Sequence, residues 1–244
     1  MDLLHHFHLH PIVEIHLFGI DLSVTKAVIM MWIACGLTFA FLFLAGRKAK
    51  LVPSGFQNLI EALVEFLRTN LILETLGEKG LPWFPFIATL FFFILFCNLL
   101  GLVPGAFTAT SNINVTATLA VIVFFCTQGA GVVKHGPIGY MKRFVPKGIP
   151  IFIVPIMVPI EIISQFAKPF SLAVRLFANM TAGHGVILVF LFMIIMFKSW
   201  FITAVPLLGV VIMSAFEIFV GFIQAYIFSI LAAMYIAEAV EEAH

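Results

Sequence analysis

Charge is the scarcest property of this sequence. Only 10% of its 244 residues are Asp, Glu, Lys or Arg, against about 25% in soluble domains. Hydrophobic residues make up 62%, and the mean hydropathy is +1.15. That balance excludes an ordinary soluble domain and predicts an all-α, polytopic membrane protein. The net charge of +1 carries no nucleic-acid signature, because the thirteen basic residues fall in short clusters rather than along one face. Cysteine is nearly missing too. Cys35, Cys97 and Cys126 all lie in apolar runs, where a small hydrophobe fits better than a disulfide or a metal ligand. No basic segment or small-residue cleavage site follows Met1-Asp2, so the first apolar run is expected to stay as an anchor. There is no HExxH, no nucleophile beside a base, no internal repeat and no soluble domain, so neither a metal, a cofactor nor a catalytic site within the chain is implied. The opening cluster His5, His6, His8 and His10, followed by His16, lacks convergent Cys or carboxylate partners. It reads as a solvated or interfacial tail.

Long apolar runs fill the rest. After a leader at 1–25, residues 26–45 supply about the 20 residues needed to cross a bilayer and end at Arg47, Lys48 and Lys50. The excess of basic residues in cytoplasmic loops puts that cluster inside and the N-terminus outside, in the periplasm. Across 54–76, Phe56, Leu59, Ile60, Leu63, Val64, Leu67 and Leu71 recur at helical spacing, opposite Gln57, Asn58, Glu61, Glu65 and Arg68. This is an amphipathic helix expected to lie on the membrane, not to cross it. A non-crossing helix keeps the later basic loop, Lys134 to Lys147, on the same side as Arg47. Residues 84–133 read as a transmembrane hairpin: Pro82 and Pro85 open one helix, Pro104-Gly105 break it, and the next spans about Val115 to Val133. The runs Ile151–Phe197 and Ile202–Glu238 are each roughly twice a perpendicular span. Strong tilting accommodates such length. The expectation is a single membrane domain with about five crossing helices and one interfacial helix. Its last two helices, within 151–238, are long, tilted and antiparallel about a turn near Lys198–Phe201, and the C-terminus is cytoplasmic.

Polar groups punctuate this hydrocarbon-like region. Between residues 151 and 237 the only Asp, Glu, Lys or Arg are Glu161, Lys168, Arg175, Lys198 and Glu217. A charge at bilayer depth costs roughly 2.5 to 3.5 kcal/mol on insertion scales and marks function by default. At about 100° per residue, Glu161, Ser164, Lys168, Ser171, Arg175 and Asn179 fall near one helix face, and His184 lies opposite. Glu217 and Gln224 share a face of the last helix. Folding the two helices about a turn near residue 200 sets Arg175 level with Gln224 and His184 level with Glu217, about 13 Å apart along the axis. Histidine and glutamate can exchange protons. Arginine cannot deprotonate, so Arg175 is a fixed cation whose counter-ion is expected on another subunit. Asn98 is the one strongly polar residue of its helix.

The run Lys168-Pro-Phe-Ser-Leu-Ala-Val-Arg175-Leu-Phe-Ala-Asn179-Met-Thr-Ala-Gly-His184, with Phe222-Ile-Gln224-Ala-Tyr-Ile-Phe228 downstream, resembles subunit a of the bacterial F-type ATP synthases. The likeness extends through Phe96-Cys-Asn98-Leu-Leu-Gly-Leu-Val-Pro104 and Asn112-Ile-Asn-Val-Thr116. It implies a stator subunit of the Fo sector, in the bacterial inner membrane, that couples proton flow through two offset half-channels to rotation of a proteolipid c-ring. It implies partnership with that ring and with peripheral-stalk b subunits, and activity only as part of the complex. By the resemblance, Arg175 is the essential stator cation, with Asn179 and Gln224 as its polar neighbours. Glu161 stands toward the cytoplasmic outlet, His184 and Glu217 form the coupled pair of the inlet half-channel, and Lys168, Ser171 and Asn98 support them. In the best-known enteric form the Glu and His of that pair are exchanged. Some relatives carry Asp at the positions of Gly101, Ala106 and Asn112. The competing reading, a self-contained proton- or ion-coupled secondary transporter, predicts inverted repeats and paired broken helices, and the sequence has neither.

Overall fold

The computed structural model describes residues 11–14, 16–17, 20–21, 23–47, 55–103, 106–142, 152–196 and 200–241. His5, His6, His8, His10, the basic residues Lys48, Lys50, Arg143 and Lys147, and Lys198 at the expected turn lie outside the described residues. Four short strands open the chain: β1 (Pro11–Val13), β2 (His16–Leu17), β3 (Ile20–Asp21) and β4 (Val24–Thr25). They pair antiparallel as nested ladders, β1 with β4 and β2 with β3. The histidine-bearing part of the leader reads from the sequence as a solvated or interfacial tail, and these strands lie in the described part of that leader. Strands of two or three residues are too short to write a period-2 pattern into the sequence.

Helices carry the remainder: α1 (Lys26–Arg47), α2 (Phe56–Leu67), α3 (Phe84–Gly101), α4 (Ile113–Lys142), α5 (Val154–Met196) and α6 (Trp200–Val240). Among the described residues five stretches are long and apolar enough to cross a membrane, and α2 is not one of them. The protein is a multi-pass, all-α membrane protein. α2 is amphipathic, as its spacing predicts. It buries Ile60 and Leu67, while Asn58, Glu65 and Arg68 face outward and Gln57 donates to Glu61 at 2.7 Å. Its helical path widens into a π-helical turn over Arg68–Leu73, which buries Leu71 and Ile72.

The basic segment after α4 differs from its expectation. The helix does not stop at Val133. It kinks at Gly136, where φ is +72°, and continues to Lys142, so Lys134 and Lys142 are helical. Glycine tolerates the positive φ, and Pro137 needs no amide partner where a helix restarts. The prolines of the long helices act differently. Pro159 and Pro169 are absorbed within α5, and Pro206 within α6, leaving helices of 43 and 41 residues. At 1.5 Å per residue each is about 60 Å long, twice a hydrocarbon core of about 30 Å.

The chain packs as two compact units. One comprises the described parts of residues 1–50, 91–112 and 176–225; the other comprises those of 51–90, 113–175 and 226–244. In the first, Cys97 of α3 packs with Ala34 of α1 and Ala109, and Phe41 meets the rings of Phe92 and Phe96. Apart from Asn98, α3 carries apolar residues on every side, which suits a helix surrounded by others, and Phe91, Phe92 and Ile94 are fully buried. Cys97 is buried as expected of a small hydrophobe, whereas Cys35 is exposed, and both are free thiols. In the second unit, the ring of Phe66 of α2 packs tilted against that of Tyr226, and Tyr140 donates to Gln128 at 2.7 Å across the α4 kink.

Candidate functional site

Within the first unit, α5 and α6 run antiparallel and bring His184 against Glu217, with Nδ1 hydrogen-bonded to Oε1. Gly183 makes the approach possible: a Cβ there would stand 3.2 Å from Glu217 Oε1. The opposite edge of the imidazole is also engaged. Nε2 lies 2.8 Å from the Gly101 carbonyl oxygen and 2.8 Å from Thr108 Oγ1. A carbonyl only accepts, so Nε2 carries a hydrogen and donates it. That leaves Nδ1 and Glu217 to share one proton, either as imidazolium and carboxylate or as imidazole and carboxylic acid. Glu217 is only 5% exposed, and its Oε2 has no partner among the described residues. A cavity of about 280 Å³ lies alongside, lined by His184, Glu217, Thr108, Ser111 and Ser214 among apolar side chains.

One level further along, Asn179 Nδ2 donates to Gln224 Oε1 at 2.6 Å. Gln224 is buried, and its Nε2 has no partner among the described residues. The register inferred from the turn had set Gln224 level with Arg175. Its carbonyl oxygen is taken by Asn179, one helical turn later. Asn98 is a tie between elements: its Nδ2 donates to the Gly221 carbonyl at 3.0 Å, and its Oδ1 accepts from Thr110 Oγ1 at 2.7 Å.

Arg175, Glu161, Lys168 and Ser171 belong to the second unit. Arg175 is exposed on α5 and makes no ion pair among the described residues. Lys168, by contrast, is held by both oxygens of Glu238, at 2.7 and 2.6 Å, with its ammonium 5.6 Å from the centre of the Tyr235 ring. Glu161 accepts from Gln165 at 3.0 Å, and Ser171 is exposed. No three His, Cys, Asp or Glu side chains converge on a metal-sized site among the described residues.

Sequence reasoning missed Thr108, the Gly101 carbonyl, Gly183 and Glu238. Gly183 beside His184 was the one available signal, since a glycine next to a polar group leaves room for another group to approach closely. Nothing in spacing singles out Thr108 among the other hydroxyls of its loop.

A family profile described as ATP synthase A chain matches residues 28–237. The chain belongs to the ATP synthase A chain family. It is 46% identical to ATP synthase subunit a of Magnetococcus marinus, over 98% of this chain and 93% of that one. It is 43% identical to the subunit a of Chloroherpeton thalassium, over 98% and 77%, and 40% identical to that of Mesorhizobium japonicum, over 100% and 98%. The matched stretch contains the His184–Glu217 pair, the Asn179–Gln224 pair and Arg175.

Proposed function

We propose that this chain is the stator subunit a of the Fo sector, forming two offset proton half-channels against a rotating c-ring. The observation that carries the reading is the pair of half-buried His184 and buried Glu217 beside a cavity, in a chain of this family. The pair takes protons from the outer half-channel and hands them toward the ring. Asn179 and the amide of Gln224 stand beside the ring carboxylate as it passes, and Arg175 is its electrostatic partner. At an effective dielectric of about 20, two unit charges about 4 Å apart attract by about 4 kcal/mol. That is enough to favour the ionised ring carboxylate at one place, yet weak enough to release under driving force. Because guanidinium does not deprotonate, Arg175 also blocks direct proton passage between the half-channels. Glu161 serves the cytoplasmic outlet. The N-terminus is periplasmic, the C-terminus cytoplasmic, the peripheral-stalk b subunits hold the chain still, and α5 and α6 tilt strongly.

The test replaces Arg175 in the assembled complex. Arg175→Ala abolishes ATP-driven proton pumping in inverted vesicles, while passive proton leak through the membrane sector persists or rises. Arg175→Lys also fails to pump, because a compact ammonium does not reproduce the planar fork. Near-normal pumping by Arg175→Ala would overturn the assignment.

A further inference from the structure

Thr108 stands on the cavity side of His184, and the chain around it is tied down at several points. Its carbonyl accepts from the Ser111 amide at 3.0 Å and from Ser111 Oγ at 2.7 Å, which closes the 3-10 turn Ala109–Ser111. Thr110, inside that turn, is fastened through Asn98 to the backbone of α6 at Gly221. Thr108 itself is buried, and its hydroxyl is delivered to Nε2 of His184. The Nε2 hydrogen is shared between the Gly101 carbonyl and the Thr108 oxygen, and this leaves the hydroxyl hydrogen free to donate elsewhere.

Gly101 completes the device. A Cβ at position 101 would fall 2.0 Å from Thr108 Oγ1 and 2.7 Å from Thr108 Cβ, closer than real atoms approach. Any side chain there would drive Thr108 off His184. The same residue thus supplies a carbonyl to Nε2 and the empty space that Thr108 fills.

We infer that Thr108 is a positioning residue for His184, fixing the ring so that Nδ1 faces Glu217, and that residue 101 is glycine in order to admit it. The hydrogen bond made by one ring nitrogen sets the proton on the other. The Gly101 carbonyl holds the hydrogen on Nε2, and Thr108 therefore acts through the orientation of the imidazole, accepting from Nε2 with no proton of its own. The inference rests on the reading of His184 and Glu217 as a proton-transfer pair.

The experiment compares purified complexes reconstituted in liposomes, reading ATP-driven proton pumping across a range of pH, with His184→Ala as the control for the underlying reading. Thr108→Val keeps the shape and loses the oxygen. Pumping falls about tenfold, the rate equivalent of one lost hydrogen bond to a group that becomes charged, and its pH profile is displaced. Thr108→Ser restores pumping to within about twofold of the parent. Gly101→Ala keeps Thr108 yet behaves like Thr108→Val, and carries the test by itself if the valine variant does not assemble. Unchanged pumping and pH profile in Thr108→Val, serine no better than valine, or unchanged pumping in Gly101→Ala would each overturn the inference. Normal pumping by His184→Ala would instead remove the reading beneath it, and is distinguishable because it involves neither Thr108 nor Gly101.

Discussion

At the scale of single residues, the polar groups of this chain differ in how firmly they are held. His184 is bound on both edges, Lys168 has both oxygens of one carboxylate, and Arg175 has no ion pair among the described residues. A pair that shares a proton is symmetric in principle, because either residue can hold it. Exchanging the two, His184→Glu with Glu217→His, should therefore keep more proton pumping than either single change. The coupling between them is expected at about 1 to 3 kcal/mol, the upper part of the range for residues in one hydrogen-bond network. A double mutant no better than the worse single mutant would show that contact without functional coupling is all they have. Gly183 bears on the swap, since an imidazole at position 217 must then fit beside residue 183. Gly183→Ala alone should lower pumping by pushing Glu217 a few tenths of an ångström off His184, a loss read by the same vesicle assay.

At the scale of elements, what could be read from the sequence and what could not divide along physical lines. α1, α3, α5 and α6 were legible because hydrocarbon-length apolar runs have few alternatives in a chain with so little charge. α2 was legible from its periodicity, and the buried Ile60, Leu67 and Leu71 lie on the apolar side read from that spacing. The end of α4 was not, because glycine followed by proline writes the same signal for a stop and for a kink that restarts. Of the site, the His184–Glu217 level followed from helix rise and one turn. Thr108 and the Gly101 carbonyl did not, since loop hydroxyls and backbone groups have no period. Glu238 was read only as the end of a helix, and its grip on Lys168 becomes visible only when the two helices are laid together. The interfacial reading of α2 has a direct check. If α2 does not cross, a cysteine at Lys79, just beyond its π-helical turn, should label from the same side as one at Arg47, at the end of α1, and that side should be the cytoplasm. Labelling of the two positions from opposite sides would mean that residues 56–73 traverse the bilayer, and the five-span count would be wrong.

At the scale of the whole molecule, the exposed cation on α5 makes a statement about assembly. Arg175 sits near the middle of a 43-residue helix whose neighbours Phe170 and Val174 are exposed and apolar. A cation on such a surface costs roughly 2.5 to 3.5 kcal/mol in lipid by insertion scales. A partner that brings a carboxylate to Arg175 recovers that cost, and binding to the folded form stabilises it by mass action. A chain made without the proposed ring should therefore accumulate poorly, and coexpression with a proteolipid and b subunits should raise its steady-state level. Replacing Arg175 by Ala removes part of the cost and should narrow the gap between the two conditions, although pumping is lost. The measurement is the amount of tagged chain in membranes, with and without the other Fo subunits, together with what copurifies in mild detergent. A ring and a stalk that follow the tag fit the stator. A chain that is equally abundant alone, purifies by itself and moves protons in liposomes would be a self-contained transporter, and Arg175 would then need its counter-ion from within.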